Sequence, residues 1–166
     1  MAKSKKIVSM EDSLWGACDK LRGTVEPAEY KHVVLSLIFL KFVNDKFEQR
    51  KTELINEGKE KYIDVQSFYT MKNVFFVPEN SRWSYIIQNA KQDDIAIKID
   101  TALNTIEKQN PSLKGALPDN YYSRLGIDVS KLAALLDEIN NIQTTQDAEN
   151  DIMGRVYEYF LTKFAL

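Results

Sequence analysis

Residues 30–47, YKHVVLSLIFLKFVNDKF, constrain the fold more than any other part of the chain. Between Val33 and Val43 most positions are apolar, and at roughly 100° of helical rotation per residue these side chains point in nearly every direction instead of along one stripe. A helix that is apolar all round belongs in an interior. Crossing a bilayer takes about 20 consecutive apolar residues, whereas this run is shorter and edged by charges, so the interior is that of a globular protein. Other helices must then wrap it.

The ends of this helix are written in the sequence. Pro27 suits a first turn, where its missing N–H costs nothing, and Glu26 and Glu29 place negative charge at the positive end of the helix dipole. Beyond Lys46, Arg50 and Lys51, the spacing of Phe47, Leu54 and Ile55 leaves a single apolar stripe, and Gly58 offers a left-handed stop. The expectation is one central helix over about residues 27–57, buried in its first half and amphipathic in its second.

The remaining segments supply the wrapping. Residues 1–8 are basic and expected to be flexible; Ser9 with Asp12 reads as a capping box, followed by Leu14, Cys18 and Leu21 at helical spacing with Trp15 and Ala17 beside them, and Gly23 as the stop. Residues 73–77, before Pro78, read as a short extended segment. Ser81 is placed to cap a helix carrying Trp83, Ile86, Ile87 and Ala90. Asp93 or Asp94 is placed to cap one carrying Ile95, Ile99, Ala102, Leu103 and Ile106, which Pro111 ends. Residues 112–127, with two glycines, Pro118 and Asn120, read as loop with about one helical turn. Asp128 or Ser130 opens a helix with Leu132, Leu135, Leu136 and Ile139 inward. QTTQDAEN at 143–150 is linker-like, and 151–166 places Met153, Val156, Tyr157, Phe160 and Phe164 on one side of a last helix. The fold class expected is all-α: a multi-helix orthogonal bundle around the buried central helix, with residues 9–166 forming one domain.

Composition narrows the function. A chain of 166 residues that is 44% hydrophobic has enough apolar surface for a core. Its 22 basic and 24 acidic side chains leave a net charge of −2, so no global field draws it to nucleic acid or anionic lipid, and any DNA contact must be local. A lone cysteine excludes an internal disulfide, and MAKSKK lacks the apolar stretch of a secretory signal, which together point to the cytoplasm. One histidine and six glycines argue against a metal site or a phosphate-cradling loop.

Residues with reactive side chains favour structural roles. His32 has no partner at metal or triad spacing, and Cys18 lies on an apolar helix face without a neighbouring base. Trp15, Phe39, Trp83 and Phe160 all fall on stripes expected to face the core, so packing accounts for them more cheaply than base stacking. Asn110-Pro111-Ser112 lacks the second proline and the aromatic of the base-holding loop of amino-group methyltransferases, and reads as a helix end.

Three segments in this order, LWGACDKLRGTVEPAEYKHVVLSLIFLKFVNDKF at 14–47, VPENSRW at 77–83 and DIMGRVYEYFLTKFA at 151–165, resemble the N-terminal helical domain of the modification subunit of type I restriction-modification systems. The resemblance covers nearly the whole chain. In that family the last block precedes a Gly-Glu-Phe-aromatic-Thr-Pro segment that opens the catalytic domain, and this chain stops before it.

What the resemblance implies is adenine-N6 DNA methylation from S-adenosylmethionine by the intact subunit, acting with a second modification subunit and a specificity subunit, and with a motor-nuclease subunit for restriction. This segment would carry no catalytic, cofactor or metal residue and would serve assembly and closure around duplex DNA, with no membrane involved. Lys20, Arg22, Arg50 and Lys51 are the local basic candidates for phosphate contact. The competing expectation is a free-standing helical adaptor without catalysis.

Overall fold

The computed structural model describes residues 10–142. The basic segment 1–8, Ser9 as a cap, the 143–150 linker and the helix expected over 151–166, Phe160 included, lie outside that span. Among the described residues there are seven α-helices and no strand: α1 (Met10–Leu21), α2 (Tyr30–Asn56), α3 (Ser67–Thr70), α4 (Trp83–Gln88), α5 (Ile95–Gln109), α6 (Tyr121–Leu125) and α7 (Val129–Asn140). The expected all-α bundle is what forms, and no helix in it is long and apolar enough to cross a membrane.

Helix α2 is the axis. Pro27–Glu29 forms a 3₁₀ turn that leads into it, and Gly58, with φ of 75°, closes it. Within its first half Val33, Val34, Leu37, Ile38, Leu40 and Val43 are all buried, an arc of about 220° at the rotation of an α-helix. The wrapping is incomplete, however. Leu35, Phe39 and Phe42 occupy the remaining arc and are only half-buried, with Phe39 resting against Phe75 at 6.4 Å between ring centroids. Further along, Phe47 and Leu54 stay fully buried, but Ile55 is 40% exposed, so the late stripe is one residue narrower than its spacing predicts.

Around α2 the apolar stripes read from the sequence do meet the core. Leu14, Ala17, Cys18 and Leu21 of α1 are buried, as are Ile95, Ile99, Ala102, Leu103 and Ile106 of α5, and Leu132, Leu135, Leu136 and Ile139 of α7. The most extensive helix–helix contact joins α1 to α7, where Gly16 lies so close to the Glu138 side chain that a β-carbon there would push its carboxylate aside. Trp15 departs from expectation: it is 50% exposed, because the α1 stripe that packs is centred on Leu14, Cys18 and Leu21, a quarter-turn away.

The segment before Pro78 also differs. Asn73 has φ of 59°, a left-handed turn conformation and not an extended one, and 74–78 has no regular structure. Its aromatics nevertheless build part of the core: Phe47 stacks on Tyr69 at 4.6 Å, and Phe76 meets both rings edge-on, at 5.4 and 5.3 Å.

Since Phe47 is fully buried at the centre of this aromatic group, Phe47→Ala should cost about 3–5 kcal/mol. Phe39→Ala, at a half-buried position, should cost less than half as much. Urea melts of both variants measure the difference, and equal midpoints would contradict the placement of the core.

Candidate functional site

Short elements leave backbone groups unsatisfied at their ends, and a buried end needs a partner. For α2 to α7 the residue at the N-cap position never uses its own side chain to cap. Buried polar side chains from the long helices do this work instead. Asn44 of α2, 6% exposed, accepts the Trp83 N–H at the start of α4 through Oδ1 at 3.0 Å. Asp100 of α5 spreads its carboxylate over the first turn of α6, accepting the Tyr122 and Ser123 N–H groups at 2.9 Å each. Asn110, at the end of α5, holds the irregular 74–78 segment: its Oδ1 accepts the Phe76 N–H, and its Nδ2 donates to the Phe76 and Ile106 carbonyls, at 3.0, 3.0 and 2.8 Å.

The VPENSRW block sits where two of these clasps meet. Arg82 Nε donates to the Val77 carbonyl at 3.1 Å while its guanidinium lies over the Phe47 ring, 4.8 Å from the centroid. Trp83 donates through Nε1 to Asn140 Oδ1 at 2.7 Å, so one residue is tied to α2 by its backbone and to α7 by its indole. Ser81, expected as the cap of α4, is buried beside Asn80 instead and makes no capping bond. The cap positions expected for α5 and α7 do fall on Asp94 and Asp128, yet the carboxylates bond Lys98 and the Ser130 hydroxyl respectively.

The four basic candidates do not form one patch. Lys20 and Arg22 are exposed at the end of α1 and just beyond it, with Arg22 paired to Asp19 at 3.2 Å. Arg50 and Lys51 sit near the other end of α2, about 30 Å along its axis from Tyr30. Lys51 is half-buried. Arg50 is 4% exposed: its Nε donates to the Phe68 carbonyl at 2.8 Å and Nη1 to Glu53 at 3.1 Å. Arg50 therefore corrects the expectation of a phosphate contact, because its guanidinium is already committed to holding α3 against α2. The accessible basic candidates are Lys20, Arg22 and Lys51.

Burial pushes the Cys18 thiol up to about 12, which keeps it protonated and unreactive at neutral pH. Burial likewise raises Tyr69, Tyr121 and Tyr122; Tyr121 is raised further by the hydrogen bond it donates to Glu29 at 2.7 Å, and Tyr122 donates to the Val33 carbonyl. His32 is exposed, and among the described residues no cluster of His, Cys, Asp and Glu could hold a metal. An open groove of about 910 Å³ lies between α4 and α7. Neither the remote caps nor this groove was read from the sequence. Asn44, the single amide in the apolar stretch of α2 up to Phe47, is the sequence signal for the cap of α4.

With that geometry in place, comparison with known proteins gives a consistent answer. The profile of the family described as HsdM N-terminal domain matches residues 10–142. The chain is 33% identical over 170 residues to the Type I restriction enzyme MjaIX methylase subunit of Methanocaldococcus jannaschii, covering 93% of this chain and 30% of that one. It is 22% identical over 188 residues to the Type I restriction enzyme MpnII methylase subunit of Mycoplasma pneumoniae, covering 94% and 35%. It thus spans about a third of the length of these relatives.

Removing a buried polar clasp should be costly where removing an exposed base is not. Arg50→Ala and Asn110→Ala should each lose about 1–3 kcal/mol by stranding buried carbonyl or N–H groups, whereas Arg22→Ala should stay within about 0.5 kcal/mol. Asn110→Asp should be at least as damaging as the alanine, since it turns an acceptor toward the Phe76 and Ile106 carbonyls. Thermal melts of the four variants check the order.

Proposed function

The chain belongs to the HsdM N-terminal domain family, and from that premise we propose that it is the N-terminal accessory domain of a type I restriction-modification DNA methyltransferase subunit. The intact subunit would transfer a methyl group from S-adenosylmethionine to adenine N6 in DNA. This domain would serve assembly with a specificity subunit and a second modification subunit, and closure around the duplex; a motor-nuclease subunit would join for restriction. The setting is cytoplasmic. In the same reading residues 9–166 make up one domain, preceded by a basic extension over 1–8.

The observation that carries the reading is the match over 10–142, the span over which the helices and their clasps are described. Its polar side chains support an accessory role. Of the buried polar groups, Asn44, Arg50, Asp100 and Asn110 bond backbone of the chain itself, and Lys41 is paired with Asp45. The described residues contain no strand for the strand-to-helix turn that S-adenosylmethionine takes, and the α4–α7 groove mixes Ile87, Val129 and three alanines with Gln88, Lys91, Ser130 and Asp137. No step of methyl transfer is assigned to this chain. Lys20, Arg22 and Lys51 are the bases proposed for phosphate contact in the assembled complex.

Two titrations test this. Calorimetry with S-adenosylmethionine should give no saturable heat, and micromolar binding would overturn the accessory assignment. Fluorescence anisotropy with two unrelated duplexes should show weak binding without preference, falling with salt on a slope of about 0.9 per phosphate contact. Sub-micromolar affinity near physiological salt, or discrimination between the duplexes, would make it a DNA-binding module in its own right. The adaptor alternative separates at the gene: a reading frame that continues past Leu166 into a glycine-rich and then Asn-Pro-Pro-aromatic pattern supports the subunit, and a stop codon there supports the adaptor.

A further inference from the structure

Arg82 is the basic side chain of the VPENSRW block, and its guanidinium is held on two sides before anything binds it. Nε donates to the Val77 carbonyl at 3.1 Å, and the group lies over the Phe47 ring, 4.8 Å from the centroid. A guanidinium carries five N–H donors, and Nε is only one of them. Among the described residues nothing accepts from Nη1 or Nη2, and no carboxylate comes within ion-pair distance. Arg50 is the contrast: its Nη1 faces Glu53 at 3.1 Å and Glu57 at 4.0 Å, so its charge is met within the chain. Arg82, half-buried, ends in an open fork.

A second base stands beside it. Lys51 follows Phe47 by four positions on α2, which turns it by about 40° and carries it about 6 Å further along the axis, on the side that Arg82 covers. Lys51 is half-buried and makes no hydrogen bond or ion pair among the described residues. Glu48 and Asp64 act on Tyr69 from close by, as Arg82 does, yet neither pairs with Arg82 or Lys51. One fixed fork and one flexible ammonium a helical turn apart suit a tetrahedral oxyanion: two oxygens meet the fork and a third meets the ammonium. A carboxylate has only two oxygens, and the fork would use both.

We propose that Arg82 and Lys51 form a phosphate site, whose occupant in the assembled complex is a backbone phosphodiester of duplex DNA. The source of the phosphate rests on the accessory-domain reading, whereas the site itself does not. Because Val77 and Phe47 fix the fork in advance, little side-chain freedom is lost on contact. Arg82 also adjoins Trp83, which is tied to α2 and α7, so a phosphate bound here is anchored at the joint between those helices.

Nitrogen–proton spectra of the guanidinium groups in the full chain, titrated with inorganic phosphate at constant ionic strength, read the site without a substitution. The Arg82 Nη signals should shift saturably. Exposed Arg124, whose Nε and Nη2 already bond the Asn120 and Asp119 carbonyls, should move little. Equal, unsaturable shifts at both would overturn the site, and saturation by acetate at the same concentrations would replace phosphate with a carboxylate from a protein. Fluorescence anisotropy with a duplex across a salt series then tests the source. Lys51→Gln should lower the salt slope by about 0.9. Arg82→Lys keeps the charge and loses the fork, so it should keep the slope and weaken binding at every salt concentration, while Lys131→Gln, an exposed base on α7, should change neither. Unchanged slope and affinity in both site variants, with native helix content by circular dichroism, would remove DNA as the occupant and overturn the proposal. The accessory assignment falls separately, to micromolar binding of S-adenosylmethionine.

Discussion

Burying a helix on most of its circumference solves one problem and creates another. The apolar arc of α2 removes a large hydrophobic surface from water, but the helices and turns pressed against it must bring their backbone ends into the same dry environment. Water cannot satisfy those groups, so α2 and its neighbours carry a few polar side chains that do. Asn44 takes the first N–H of α4, Arg50 takes the Phe68 carbonyl at α3, and Asp100 of α5 takes the Tyr122 and Ser123 N–H groups at the start of α6. Each bond sits where a short element would otherwise end unpaired. The short elements are therefore specified by the long ones and not by caps of their own.

This explains which parts of the architecture could be read from the chain. The stripes of α5 and α7 are strictly periodic, and every residue assigned to their inner faces is buried. The start and stop of α2 were equally plain, because Pro27 and Gly58 act through local backbone geometry. What periodicity could not deliver were contacts between positions far apart in sequence. Ser81 has the chemistry of a cap and lies in the right place, yet Asn44, 39 residues before Trp83, makes the bond. Likewise Asn73 reads as the start of an extended run, but it turns through a left-handed conformation, and the segment after it is held by Asn110 across 34 positions.

The basic candidates carry the same lesson at the functional level. Arg50 and Lys51 are adjacent and indistinguishable by composition, but they lie about 100° apart on the helix, which puts one guanidinium inside and leaves the other side chain half in solvent. A chain of net charge −2 with its buried base already bonded has little field of its own to offer DNA. That fits the accessory role proposed for this member of the HsdM N-terminal domain family. The VPENSRW block, a marker of resemblance in the sequence, acts in the fold as the joint between α2 and α7.

The central claim is that α2 is the scaffold on which the other elements depend, and native-state hydrogen exchange tests it most directly. If the claim holds, the amides of Val34 to Val43 exchange only through global unfolding, with the free energy and denaturant dependence of the equilibrium melt, while α4 and α6 open at lower free energy. Exchange of those α2 amides through a smaller opening, with α5 and α7 still protected, would contradict it.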